Sequence, residues 1–109
     1  MEMNTLNSLV SGAIWRAEQL EACGIPGVKQ AWMEVSSLEE RLATLLSVSH
    51  PEGRIARRGS VHAALKSGDY ARAQALVDRY VAEEAAPEAF ITQVRQILGS
   101  FTLRRGRRQ

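Results

Sequence analysis

The chain has 109 residues, 45% hydrophobic and 24% charged, with a formal net charge of +2; this suits one small domain with one core and is too short for a cofactor domain beside a substrate domain. Apolar runs of only a few residues exclude a membrane span, and "MEMNTLNSLVSGAIWR" lacks the basic stretch that opens a secretory signal, so the expected location is the cytoplasm. Arg104, Arg105, Arg107 and Arg108 carry about +4, leaving about −2 on the remainder, so residues 1–103 are expected to form a single helical domain and 104–109 a basic flexible tail.

The period of the apolar residues sets the elements. Leu6, Leu9, Val10, Ala13, Ile14, Ala17 and Leu20 recur at three and four, the mark of an amphipathic helix that Gly24 is placed to end. Pro26 suits the first position of a second helix, whose stripe runs through Val28, Ala31, Trp32, Val35, Leu38, Leu42, Leu45 and Leu46 to about Val48. "SSLEE" offers a capping box, Ser36 with Glu39 or Ser37 with Glu40, and so leaves two readings. The unbroken stripe favours one helix, straight or kinked, over two.

His50 before Pro51 is biased away from helix, and Pro51 opens a third helix to about Ser67. Its face carries Ala56, Gly59, Ser60, Ala63 and Ala64, small enough to admit a neighbouring helix backbone. Gly68 suits a left-handed cap and Asp69 an N-cap. A fourth helix places Tyr70, Ala73, Val77, Tyr80, Val81 and Glu84 on one face. A fifth begins near Pro87, with Glu88 in its first turn and Phe90, Ile91, Val94, Ile97, Leu98 and Phe101 as its stripe. Nothing alternates with period two. The expected fold is all-α, a compact bundle of five or six antiparallel helices joined by short loops.

"GDYARAQALVDRY" followed by "VAEEAAP" resembles the second helix of a tetratricopeptide repeat, through Gly68, Asp69, Tyr70 and Ala73. The resemblance covers about one repeat; the preceding helix lacks the family's aromatic and Leu-Gly pair, Pro87 comes late, and no second copy follows at the repeat's period. The same phrase also suits the effector-binding helical domains of some bacterial transcription regulators. A short chain of degenerate helical hairpins is similar as well to the small cytosolic chaperones of bacterial type III secretion. These resemblances imply a TPR-like hairpin in the C-terminal half and a scaffold, chaperone or adaptor that holds a peptide or helix in an apolar groove.

Trp15 and Met33 lie off the stripes of their helices and Trp32 at the edge of its own, which makes these three the candidate partner contacts. The alternative is that the core wraps around them. The partner is expected to be another protein or a second copy of the chain. The rival reading is a nucleic-acid-binding or regulatory protein: Arg54, Arg57 and Arg58 fall on one side of the third helix and could extend a phosphate track begun by Arg104, Arg105, Arg107 and Arg108. No aromatic residues interleave that tail for base stacking.

An enzyme is not expected. His50 and His62 are the only histidines, and although His62 could in principle meet Cys23, Glu52 or Asp69, no phosphate-binding glycine loop, zinc motif or paired acidic motif is present. Two histidines and one cysteine define no metal site, the cysteine has no disulfide partner within the chain, and no cofactor is expected.

Overall fold

A computed structural model of the chain describes residues 2–107, with side chains through 101. Within these residues the backbone forms five helices and no strand: α1 (Met3–Cys23), α2 (Val28–Thr44), α3 (Pro51–Lys66), α4 (Tyr70–Val81) and α5 (Glu88–Arg107). No helix among the described residues is long and apolar enough to cross a membrane.

The helix ends follow local chemistry. Gly24 stands at φ 64°, where its N–H reaches the Glu21 carbonyl and the Ile25 N–H reaches Leu20 at 3.1 Å. Gly68, at φ 84°, closes α3 the same way, with its own N–H on Leu65 and that of Asp69 on Ala64, both at 3.0 Å. These paired bonds satisfy carbonyls that a helix end would otherwise orphan, in a conformation that favours glycine. Asp69 then accepts the Arg72 backbone N–H at 3.0 Å and caps α4.

Three boundaries differ from the sequence reading. Gly27, at φ 101°, interrupts helical geometry, so α2 begins at Val28 rather than Pro26. Its other end stops at Thr44, and Val48, expected to continue the stripe, instead drops into the core between α3, α4 and α5. α4 ends at Val81, which leaves Glu84 exposed on the following turn. The helix through Ser36 and Ser37 is unbroken.

α3 is the hub. It packs on α2, α4 and α5, while α1 packs on α2 and α4 also meets α5. The result is a slab of 40 × 37 × 17 Å, one to two helix diameters thick. Val61, Ala64, Leu65, Ala73, Leu76, Val77, Tyr80, Phe90 and Val94 fill the space between α3, α4 and α5. Ala13, Ala17, Ala31, Trp32, Val35 and Ala63 join α1, α2 and α3, and Leu6, Val10, Leu42, Ala43 and Ala56 form a third cluster at the start of α1 and the end of α2. The small residues of α3 let α2 settle close: Ser36 and Ser60 are both fully buried.

Candidate functional site

α2 has two working faces. On the first, Ser36 donates its hydroxyl to the Ser60 carbonyl at 2.8 Å and accepts from Arg72 Nε at 3.0 Å. One turn on, Glu40 takes Arg72 at 2.7 Å and Arg79 at 2.6 Å, so two arginines from α4 span to one carboxylate of α2. Burial alone would push the Glu40 carboxyl up, but hydrogen bonds and charge from Arg79 and Arg72 outweigh it and hold the group below its usual range. The network continues into α3. The Ser60 hydroxyl donates to the Arg57 carbonyl and lies 2.8 Å from the Tyr80 hydroxyl, which completes the chain by donating to Ser60. Arg57 and Arg79 lie over the Tyr80 ring, 5.6 and 5.4 Å from its centroid.

The second face is different. α1 and α3 stand on either side of the C-terminal half of α2 and leave a cleft of about 370 Å³. Val10 and Ile14 from α1, Leu42 from α2, Leu46 from the α2–α3 connection, and Ile55 and Ala56 from α3 make it apolar, while Asn7, Ser11 and Glu52 add polar groups to its lining. Glu39 also lines it, only 7% exposed. Among the described residues it has no hydrogen-bond partner and no ion pair. Burial away from water pushes its carboxyl up from 4.5 to about 7. The absence of a side chain at Gly59 makes room for it, since a Cβ there would collide with Glu39 Oε2. Ile55, 56% exposed, forms a ridge shared with a second cleft of about 350 Å³, bounded by Arg54 and Arg58 on one side and Pro87, Phe90 and Gln93 on the other.

The residues singled out from sequence separate on this frame. Trp15 is 65% exposed on α1. Met33 is half-buried. Trp32 is not at a surface edge: it is 5% exposed in the α1–α2–α3 core, with Lys66 over its ring at 5.2 Å and the His62 ring edge-on at 6.4 Å. Among the described residues its indole N–H finds no acceptor, so packing rather than hydrogen bonding holds it. The core wraps this residue.

The α3 arginines are engaged by the chain itself. Arg57 is buried, pairs with both oxygens of Glu83 at 2.7 and 2.8 Å and donates to the Gly53 carbonyl. Arg54 ties down the α2–α3 connection through the Val48 and Ser49 carbonyls, and Arg58 reaches Gln93 at 3.3 Å. Arg104, Arg105 and Arg107 lie on the helical backbone of α5, with side chains outside the described residues, and Arg108 lies outside them altogether.

His62 packs between Trp32 and Phe101, and burial together with Lys66 lowers its pKa. Among the described residues no hydrogen bond or ion pair joins it to Cys23, Glu52 or Asp69, and no group of His, Cys, Asp and Glu could hold a metal ion. Cys23 is exposed. Sequence reasoning passed over Glu39 as a site residue and met it only as half of a capping box. The usable signal was an acid within the α2 stripe, three residues before Leu42, facing a helix of small residues.

No family model, curated protein or solved structure matches the chain.

Proposed function

We propose that the chain is a non-enzymatic helical scaffold, a chaperone or adaptor that holds an amphipathic partner helix in the α1–α3 cleft over α2. The observation that carries this reading is the cleft itself. Its two walls are helices whose residues recur at three and four, Val10 and Ile14 on one side and Glu52, Ile55 and Ala56 on the other, and its floor is a third helix. Another helix laid between them would bury Ile55 and Leu46 and complete the layer, with anchors spaced as an amphipathic helix spaces them. Short connections capped at Gly24 and Gly68 join the helices that frame the cleft, and the α3–α4 pair is the part whose sequence resembles a tetratricopeptide unit. Trp15 follows Ser11 by four on α1, one turn from the cleft wall, and extends the contact outward.

The arginine tail supports a second reading, nucleic-acid binding, and one experiment separates the two. Affinity capture of the tagged chain at low and high salt, with Ile55→Asp and a deletion of 104–109 alongside, reads both protein and nucleic acid. A stoichiometric protein that survives high salt and is lost with Ile55→Asp supports the scaffold. Nucleic acid that leaves with salt and with the deletion overturns it.

A further inference from the structure

We propose that the α1–α3 cleft takes a lysine side chain from the apolar face of its partner helix, with Glu39 as the buried counter-charge. This rests on the cleft being the docking surface, as proposed above, and adds what the partner must carry.

Glu39 is a residue more than nine-tenths buried on the floor of the cleft, and its carboxyl has no partner among the described residues. A protein avoids such an arrangement unless the group is matched by something, because an unpaired buried carboxylate loses hydration and gains nothing in return. The other side of α2 shows how the same chain treats an acid it uses for folding: Glu40 holds two arginines. The other polar groups lining the cleft are Asn7 and Ser11 from α1 and Glu52 from α3, and among the described residues no lysine, arginine or histidine lines it. The cleft therefore offers two carboxylates and two neutral polar side chains to whatever enters, and its charge complement is a cation.

The shape narrows the cation. Oε2 lies against Gly59 on α3, in space that a side chain there would fill, so the carboxyl is crowded on that side. A crowded acceptor suits the compact ammonium of lysine better than the two-pronged guanidinium of arginine. Lysine's four-carbon stem would lie along Ile14, Leu42 and Ile55 while its head reaches the acid. Pairing draws the carboxyl back toward ionisation, so docking takes up the lysine charge and releases the proton that burial had kept on Glu39 below about pH 7.

The test uses two synthetic helical peptides of about 16 residues, long enough to form a helix on contact. Both have a Leu/Ile face and differ only at its centre, lysine in one and norleucine, the same four-carbon stem without the ammonium, in the other. Each is titrated into the isotope-labelled chain and into Glu39→Gln, at about pH 8 and about pH 5.5, with NMR shifts of Ile14, Leu46 and Ile55 marking the cleft. The expected result is a preference for the lysine peptide of about tenfold or more at pH 8, which disappears in Glu39→Gln and fades at pH 5.5 as Glu39 takes up its proton. Norleucine binding as tightly as lysine, with the cleft resonances moving, overturns the counter-charge and leaves the docking surface standing. Cleft resonances that move with neither peptide overturn both.

Discussion

Glu39 and Glu40 are neighbours in the chain and opposites in the fold. Glu40 faces α4, accepts from Arg72 and Arg79, and sits below the usual carboxylate range; Glu39 faces the cleft, accepts from nothing described, and is pushed up to about 7. One residue is a turn of about 100° on a helix, enough to move a carboxylate from a saturated network to an empty groove. The contrast teaches that burial by itself does not decide what an acid does. What matters is whether the fold brings it a cation, and on the α4 face it brings two.

The largest effect should come from breaking the saturated side. Arg57 is held by Glu83, the Gly53 carbonyl and the Tyr80 ring, and its removal leaves the Glu83 carboxylate without its cation. Arg57→Ala should lower stability by about 3 kcal/mol, the scale for truncating one member of a buried pair, moderated because Glu83 retains some access to water. Urea unfolding at neutral pH measures it. A loss within 0.5 kcal/mol, by the measure of ordinary surface changes, would show that the network organises contacts without holding the fold together.

The next effect has the opposite sign and sharpens the comparison. Because the folded chain keeps a proton on Glu39 that the unfolded chain gives up near 4.5, the fold binds more protons between about pH 4.5 and 7, and stability from this group falls across that window. Below it the contribution is intact; above it the full penalty applies. Glu40 runs the other way, since its lowered pKa gives stability above the unfolded value that is lost as pH falls. Glu39→Gln removes the first dependence alone. It should raise stability by about 1–2 kcal/mol at pH 8, less than the whole shift because a buried amide also loses hydration, and by almost nothing near pH 4. Unfolding curves of the two proteins across that range should diverge upward in pH; parallel curves would place Glu39 in contact with water or a cation.

The sequence disclosed the helices and half of this contrast. The apolar stripes and the glycines at 24 and 68 announced α1, α3 and α4 because those signals are local: a 3.6-residue period, a cap, a turn. The Asp69 cap was legible for the same reason. "SSLEE" was legible only through its stripe, which favoured one helix; its capping readings are local and the structure answers with a distant partner. Ser36 gives its hydroxyl to Ser60, 24 positions away, so it never caps a helix and α2 runs through. The burial of Trp32 was hidden for a related reason. Its place at a stripe's edge says nothing of Lys66 and His62, which close over it from α3. The arginines at 54, 57 and 58 shared a helix side as expected, yet each is claimed by a different contact that no spacing rule contains. Glu39 needed two facts at once, an acid in the stripe of α2 and a glycine opposite it in α3, and only the tertiary fold sets them face to face.

A smaller effect tests whether the α4 face acts as a network. Ser60→Ala and Tyr80→Phe each remove one end of a 2.8 Å hydroxyl contact, and the Ser60 hydroxyl also serves the Arg57 carbonyl. The two changes should be non-additive, with a coupling of about 1 kcal/mol in a double-mutant cycle, since losing either leaves the other hydroxyl without its neighbour. A coupling near zero would mean that Tyr80 is held by the guanidiniums over its ring rather than by its hydroxyl.

The smallest effect on stability is the most useful for function. Trp15 is 65% exposed, outside every core cluster, so Trp15→Ser should leave urea unfolding unchanged within about 0.5 kcal/mol. Its position a turn beyond Ser11 makes it the outer neighbour of the cleft, where an aromatic side chain can add apolar contact to a docked helix. The same substitution should therefore weaken the lysine peptide severalfold, and weaken the norleucine peptide in equal proportion, because an indole adds apolar contact without reading the charge at Glu39. Loss of the lysine preference itself in Trp15→Ser would tie the tryptophan to the cation, and would move the recognition site from the floor of the cleft to its outer edge.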